Sequence, residues 1–334
     1  MRLNKEFCPV FLLGSHKSGS SLLRSLLDGH ESLNVLPSET HFFQYSGQWV
    51  DYAIRKNTRL ISSLEDSKTG LYQFLKNENI IKDPYGASDI AGKYDEEIFR
   101  SRMNKYEAHS LSELLQIYFM ALHYSLKGGG ADSGKYVEKS VENAEFACTL
   151  AHWFPDAKFV HIVRNPYATF TALRKMKSKR GYPLLRPLVE SLSNSYQYLF
   201  KNKLFGKEYL IIRYEDLVEN TTETMIKVAE HLNIKFSDCL LNPTLLGVPW
   251  KGNSTYNKEF SGISNTSIDQ WKNTITDLEL LIVNSHFRAV IDEFGYVLQN
   301  PKHSQYIRQL LEPAKYERLR IYVLNRAFTL SHVS

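Results

Sequence analysis

The sequence predicts an α/β fold, a parallel sheet flanked by helices, with a helical insertion. Three observations carry this. Short apolar runs at residues 9–14, 157–163 and 209–214 have the length and apolarity of buried strands. Helical patterns separate them, as crossover connections between parallel strands require. A turn rich in glycine and serine, Gly14 to Ser21, joins the first run to the first helix.

Pro9 to Gly14 reads as the first strand. Ser18 to Gly29 follows as a helix, with Leu22, Leu23, Leu26 and Leu27 on one face and Gly29 as its C-cap. Leu33 to Leu36 reads as a second short strand, stopped by Pro37. Residues 40–130 form the insertion, helical and rich in Tyr, Phe and Leu, and end at the Gly128-Gly129-Gly130 break. Strands resume at Tyr136 to Lys139 and Ala157 to Val163, joined by a helix that Asn143 caps and that runs to about Phe154. Another helix follows Arg164-Asn165-Pro166. After the strand at 209–214, helices are expected from Thr221 to Leu232 and, opened by the capping box Thr276-Asp277-Leu278-Glu279, to about Phe294. Residues 1–300 therefore read as one domain and 301–334 as a basic helical tail.

The 334 residues are 43% hydrophobic and 23% charged, enough for a sizeable core and unlike disordered or fibrous chains. The longest apolar runs fall far short of a membrane span, and the first residues lack a signal-peptide core, so a soluble, cytoplasmic protein is expected. Of the net charge of +5, the residues after Pro301 carry +4. A body so weakly charged argues against a nucleic-acid binder. The basic tail is the one segment suited to a membrane surface or a second subunit, unless it is an ordinary solvated helix face. Cys8, Cys148 and Cys239 form no closely spaced pair and are expected to be reduced and mostly buried. No spaced set of histidines completes a zinc site, so no metal is expected.

Gly14-Ser15-His16-Lys17-Ser18-Gly19-Ser20-Ser21 is the most informative stretch. Lying between strand and helix, it brings backbone N–H groups together at the positive end of a helix dipole, where an anion binds. A nucleotide triphosphatase loop places its lysine directly after the second glycine. Here that position is Ser20 and the lysine sits earlier, at Lys17. The loop suits a phosphate-like anion without the usual magnesium–ATP apparatus.

From Phe11 through Arg24 the sequence resembles the family of sulfotransferases that use 3′-phosphoadenosine 5′-phosphosulfate (PAPS). The resemblance continues in order through Tyr136-Val137-Glu138-Lys139-Ser140, the strand from Phe154 into Arg164-Asn165-Pro166, Arg213-Tyr214-Glu215-Asp216-Leu217, and Trp250-Lys251-Gly252-Asn253-Ser254. It implies a P-loop-like sheet of the sulfotransferase type and sulfuryl transfer from PAPS to an acceptor hydroxyl of a glycan, glycolipid or small molecule, with PAP as product. It further implies that Lys17 contacts the sulfate. The amides of Ser18, Gly19, Ser20 and Ser21 would hold the 5′-phosphate beside His16, and Arg164 would grip the 3′-phosphate. Lys251, Gly252, Asn253 and Ser254 would close over that phosphate, and Tyr214 or Trp250 would touch adenine. Two positions depart from the pattern: Ala172 stands where the family has a serine, with Thr171 or Thr169 as the nearest substitute, and Val141 replaces a proline. One lost hydrogen bond to a charged phosphate costs about 1.5–3 kcal/mol.

Transfer to a hydroxyl also needs a base. Glu39, just beyond the second strand, is the first candidate; His41 and His16 are alternates. Lys139 either neutralises charge on the transferring group or forms a salt bridge with Glu138 or Glu142. His123 reads as a core-edge residue and Trp271 as packing. Tyr45, Trp49, Tyr52, Tyr72 and Phe74 would suit stacking on a ring or ordinary core. A small-molecule kinase and a non-catalytic PAP-binding protein are the alternative functions.

Overall fold

In the computed structural model, residues 7–48, 63–80, 94–126, 135–178, 180–252, 262–301 and 313–331 are described. Strand β1 (Val10–Gly14) leads into α1 (Ser20–Leu27) and β2 (Leu33–Val35). The segment between β2 and β3 contains α2 (Phe42–Tyr45), α3 (Leu64–Ile80), α4 (Glu96–Lys105) and α5 (Leu111–Ser125). Then come β3 (Lys135–Glu138), α6 (Ala147–Trp153), β4 (Lys158–Val163), α7 (Pro166–Lys177) and α8 (Arg186–Asn202). They are followed by β5 (Tyr209–Arg213), α9 (Tyr214–Glu219), α10 (Thr221–Leu232) and the small pair β6 (Thr244–Leu245) and β7 (Val248–Pro249). Helices α11 (Asp277–Glu293) and α12 (Leu319–Leu330) complete the order.

The sheet is parallel in the order β2-β3-β1-β4-β5, with Phe11 opposite Glu138 on one side and Phe159 on the other. The period of two along β1 explains how it is covered on both faces. Phe11 and Leu13 point into a core built with α5 and the aromatic residues of the insertion, while Val10 and Leu12 point into one built with α1 and α10. A third cluster joins α7, α8 and α11, and Ile321 and Phe328 of α12 pack against it. From β1 the chain crosses to one edge of the sheet; after β3 it crosses back past β1 to β4. Such a reversal opens a crevice at the carboxyl ends of the strands.

Several expected boundaries shift for local reasons. Helix α1 starts at Ser20 because Gly19, at φ 102°, is its N-cap; its C-cap is Asp28, and Gly29 lies one residue beyond. Asn143 does not cap the helix before β4. It sits in a 3₁₀ turn (Val141–Ala144) and donates its amide to Glu138, while Phe146 caps α6. Helix α8 had no counterpart in the sequence reading. The capping box at Thr276 and Glu279 is formed as expected. The cysteines are free but not buried: Cys148 is exposed on short α6, and Cys8 and Cys239 are half-buried. Trp49, Tyr52, Gly128, Gly129, Gly130, Asn253, Ser254 and residues 302–312 and 332–334 lie outside the described residues. Tyr45 and Phe74 pack edge to face, with Phe74 fully buried, so both are core. His123 and Trp271 are also buried, at 8% and 4% exposure.

Candidate active site

Every strand of the sheet delivers a side chain from its carboxyl end to one cavity of about 470 Å³. The turn after β1 brings His16, Lys17, Gly19, Ser20 and Ser21; β2 leads to Glu39 and His41; β3 to Lys139; β4 to Arg164; and β5 to Tyr214. Thr171, Ala172, Met176 and Lys177 enter from α7, and Trp250 and Gly252 from the loop after β7. Lys17 and Arg164 therefore share one cavity, and the cations outnumber Glu39.

The turn is tight. Lys17 has φ 68° and Gly19 φ 102°, and the Ser18 amide donates to Ser15 O at 3.2 Å. A Cβ on Gly19 would lie 2.3 Å from the Tyr214 ring, so only glycine lets the turn rest on that tyrosine. Ser20 and Ser21 open α1, where their N–H groups have no preceding turn to bond. Ser18 is the one residue from 16 to 21 that does not line the cavity: its hydroxyl faces back toward Gly14 and is buried without a hydrogen-bond partner among the described residues.

Arg164 is fixed by backbone rather than by an acid. Its two terminal nitrogens donate to Lys17 O (3.2 Å) and Ser267 O (2.9 Å), and the guanidinium lies 4.4 Å over the Tyr214 ring. Its Nε is buried and unpartnered among the described residues, as is Trp250 Nε1. The Tyr214 hydroxyl and Ser267 Oγ are 2.8 Å apart. On α7, Thr169 and Thr171 spend their hydroxyls on backbone carbonyls, Thr171 on Tyr167 O at 2.9 Å, and only Thr171 of the two lines the cavity. Lys251 is exposed and does not line it.

At the far wall, Lys139 pairs with Glu39 rather than with the expected Glu138 or Glu142. His41 Nδ1 meets Glu142 at 2.8 Å, and its Nε2 lies 3.7 Å from the second Glu39 oxygen. Burial would push the Glu39 carboxyl up, but the charges of Lys139 and His41 hold it down at about 2. Burial would likewise lower His41, but Glu142 and Glu39 raise it to about 9, so it is a cation at neutral pH. His16 is lowered, chiefly by burial, and is neutral. Glu39, His41 and Glu142 bring three ligand-capable atoms within 4.8 Å of one another, yet each is already neutralised within the network, and a metal ion would compete with the Lys139 ammonium.

Glu138 holds this wall in place. Fully buried, it accepts from Thr40 N (3.1 Å), Thr40 Oγ1 (2.9 Å), Ser140 and Asn143, clamping the residue between Glu39 and His41 onto β3. Burial pushes its carboxyl up to about 7. No local pattern announces this role, nor that Gly262, Ile263, Ser264, Ser267 and Gln270 line the cavity from far along the chain. Trp271, read as packing, does pack on Tyr167 with centroids 5.0 Å apart, and it lines the cavity as well.

A model of the sulfotransferase family matches residues 9–238. The chain is 22% identical over 321 residues to an omega-hydroxy-beta-dihydromenaquinone-9 sulfotransferase, Stf3, of Mycobacterium bovis, spanning 88% of this chain and 76% of that one; the protein of the same name from Mycobacterium tuberculosis matches equally. Among solved structures it is similar to the sulfotransferase domain of the curacin biosynthetic pathway, with a TM-score of 0.58, 20% identity and coverage of 89% of this chain and all of that one. The corresponding domain of the Synechococcus PCC 7002 olefin synthase gives 0.52 at 19% identity, covering 89% and 99%. With the family model spanning well over half its length, this chain belongs to the sulfotransferase family.

Proposed function

We propose that the cavity binds PAPS and that the protein moves its sulfuryl group to the hydroxyl of a small-molecule or lipid acceptor. The observation that carries this reading is the convergence of Lys17, Arg164, Lys139 and Glu39 on one cavity at the strand ends. The orphaned Arg164 Nε and Trp250 Nε1 support a polar ligand there, and the surplus of cations supports an anionic one. PAPS supplies an activated sulfuryl group on a phosphate leaving group.

In this reading the N–H groups of the turn and of Ser20 and Ser21 hold the 5′ side, with Lys17 beside them offsetting charge on the leaving oxygen. Arg164 holds the 3′-phosphate, its planar fork kept in place by Tyr214 beneath it. Thr171 is the nearest polar side chain to Ala172, but its hydroxyl serves the helix, so Arg164 carries the phosphate without the usual serine. Glu39 takes the acceptor proton. A carboxylate held at about 2 is a weak proton acceptor, and Lys139 is the strongest of the charges that hold it there. Attraction of Lys139 toward charge building on the sulfuryl oxygens returns basicity to Glu39 as the hydroxyl loses its proton. His41, a cation anchored by Glu142, orients Glu39 and does not act as base. Leu22, Val141 and Met176 on the cavity wall suit an acceptor with an apolar body, in keeping with the omega-hydroxylated menaquinone named for the mycobacterial relatives.

The test is transfer of labelled sulfate from PAPS into a panel of lipid and small-molecule alcohols. Lys17→Ala should lower turnover by two or more orders of magnitude; unchanged turnover would reject the assignment.

A further inference from the structure

Helix α12 buries two polar side chains, Asn325 and Thr329, on the side from which Ile321 and Phe328 also pack inward. Asn325 is 1% exposed and accepts from Leu185 N (2.9 Å) while donating to Pro183 O (3.2 Å) and Glu317 (2.9 Å); Thr329, equally buried, bonds back to Asn325 O. Phe328 stacks on His286, which fixes the same side to α11. The opposite side is apolar and open. Leu319, Val323, Ala327 and Leu330, at helical spacing, share one exposed stripe, with Leu319 79% and Leu330 68% exposed. Counting Leu184, Tyr316 and Leu324, this corner holds six of the eleven large apolar residues that are exposed among those described. A soluble surface rarely gathers them so.

Among residues 313–331 the exposed charges have one sign. Lys315, Arg318 and Arg320 are exposed, whereas the acid among residues 313–331, Glu317, is turned inward onto Arg326 and Asn325. An apolar helix face with cations gathered at its N-terminal end suits a lipid interface, where apolar burial and attraction to anionic headgroups add. The Pro183–Leu185 segment beneath it begins six positions after Lys177, which lines the cavity. We propose that α12 docks the protein on an anionic phospholipid surface, with the cavity wall one short loop away.

The measurement is cosedimentation of the full chain with vesicles of phosphatidylglycerol and phosphatidylcholine, against phosphatidylcholine alone. The expected result is binding to the mixed vesicles only, weakened at high salt and lowered about tenfold or more in Val323→Glu/Leu330→Glu. Arg318→Ala/Arg320→Ala should lower it about fivefold per arginine. Both pairs leave the inward residues intact, and unchanged thermal unfolding verifies their folding. No donor or acceptor is present, so failure here leaves the sulfuryl-transfer reading standing. Absent binding, equal binding to neutral vesicles, or equal binding by Val323→Glu/Leu330→Glu overturns the proposal. So does a dimer in solution that the same pair dissociates, because the stripe then meets a second copy of the chain.

Discussion

Glu39, His41, Lys139 and Glu142 form a chain of alternating charge, and its titration is the most direct residue-level consequence. His41 is raised from 6.5 to about 9 in the folded protein. Its pairing with Glu142 and Glu39 therefore contributes fully below pH 6.5 and is lost as pH rises through about 9. Glu39 has the opposite sign: depressed from 4.5 to about 2, it contributes above pH 4.5 and is lost only as pH falls through about 2. Thermal stability should decline from pH 6.5 to 9, and His41→Gln should flatten that decline. Melting curves across this range check it, and equal slopes in the two proteins would show that His41 is not held as a cation. The pH profile of kcat/KM, which reports the free enzyme, should likewise lack an acid limb from Glu39 near 4–5, because Glu39 is ionised there.

At the scale of elements, the start of α11 shows which contacts secure the cavity wall. Thr276 accepts from Glu279 N and Glu279 accepts from Thr276 N, closing the N-terminus of the helix. Glu279 is also fully buried, accepts from the Tyr182 hydroxyl at 2.6 Å and pairs with Arg174 at 2.8 Å. One carboxylate thus caps α11, holds α7 and fixes the loop between α7 and α8, on which α12 sits. Thr276→Ala removes one cap bond and should cost about 1 kcal/mol. Glu279→Ala leaves Arg174 and the Tyr182 hydroxyl without their acid and should cost about 3–5 kcal/mol. Chemical denaturation of the two variants measures the difference; comparable losses would show that the helix cap, not the buried junction, dominates.

For the whole molecule, the sheet order makes the cavity a meeting point of distant chain segments, so a nucleotide bound there stabilises the folded chain as a whole. PAP at about a hundredfold over its Kd should stabilise the fold by about 2.7 kcal/mol. Magnesium–ATP at the same concentration should give a smaller shift, because Lys17 is displaced from the triphosphatase position, and Arg164→Ala should remove most of the PAP effect. Thermal shift with the two nucleotides decides this. A larger shift with magnesium–ATP would favour a kinase.

What the sequence determined by itself was local: the strands at β1, β4 and β5, the tight turn after β1 with its early lysine, the helix from Thr221, and the capping box of α11. Each is written in neighbouring residues whose apolar spacing or capping chemistry needs no distant partner. The site was legible where a motif sits on a strand end, as at Lys17, Glu39, Lys139, Arg164 and Tyr214. Tertiary structure alone decided that Lys139 pairs with Glu39, that Glu138 clamps Thr40 across 98 positions, and that Ser267 receives Arg164 across 103. It also decided which side of α12 faces outward, because Asn325 and Thr329 find buried partners that the helix's own pattern does not announce. The strength of a charge or a hydrogen bond depends on which groups folding brings within a few ångströms and on how much water it removes, and no run of adjacent residues encodes that distance.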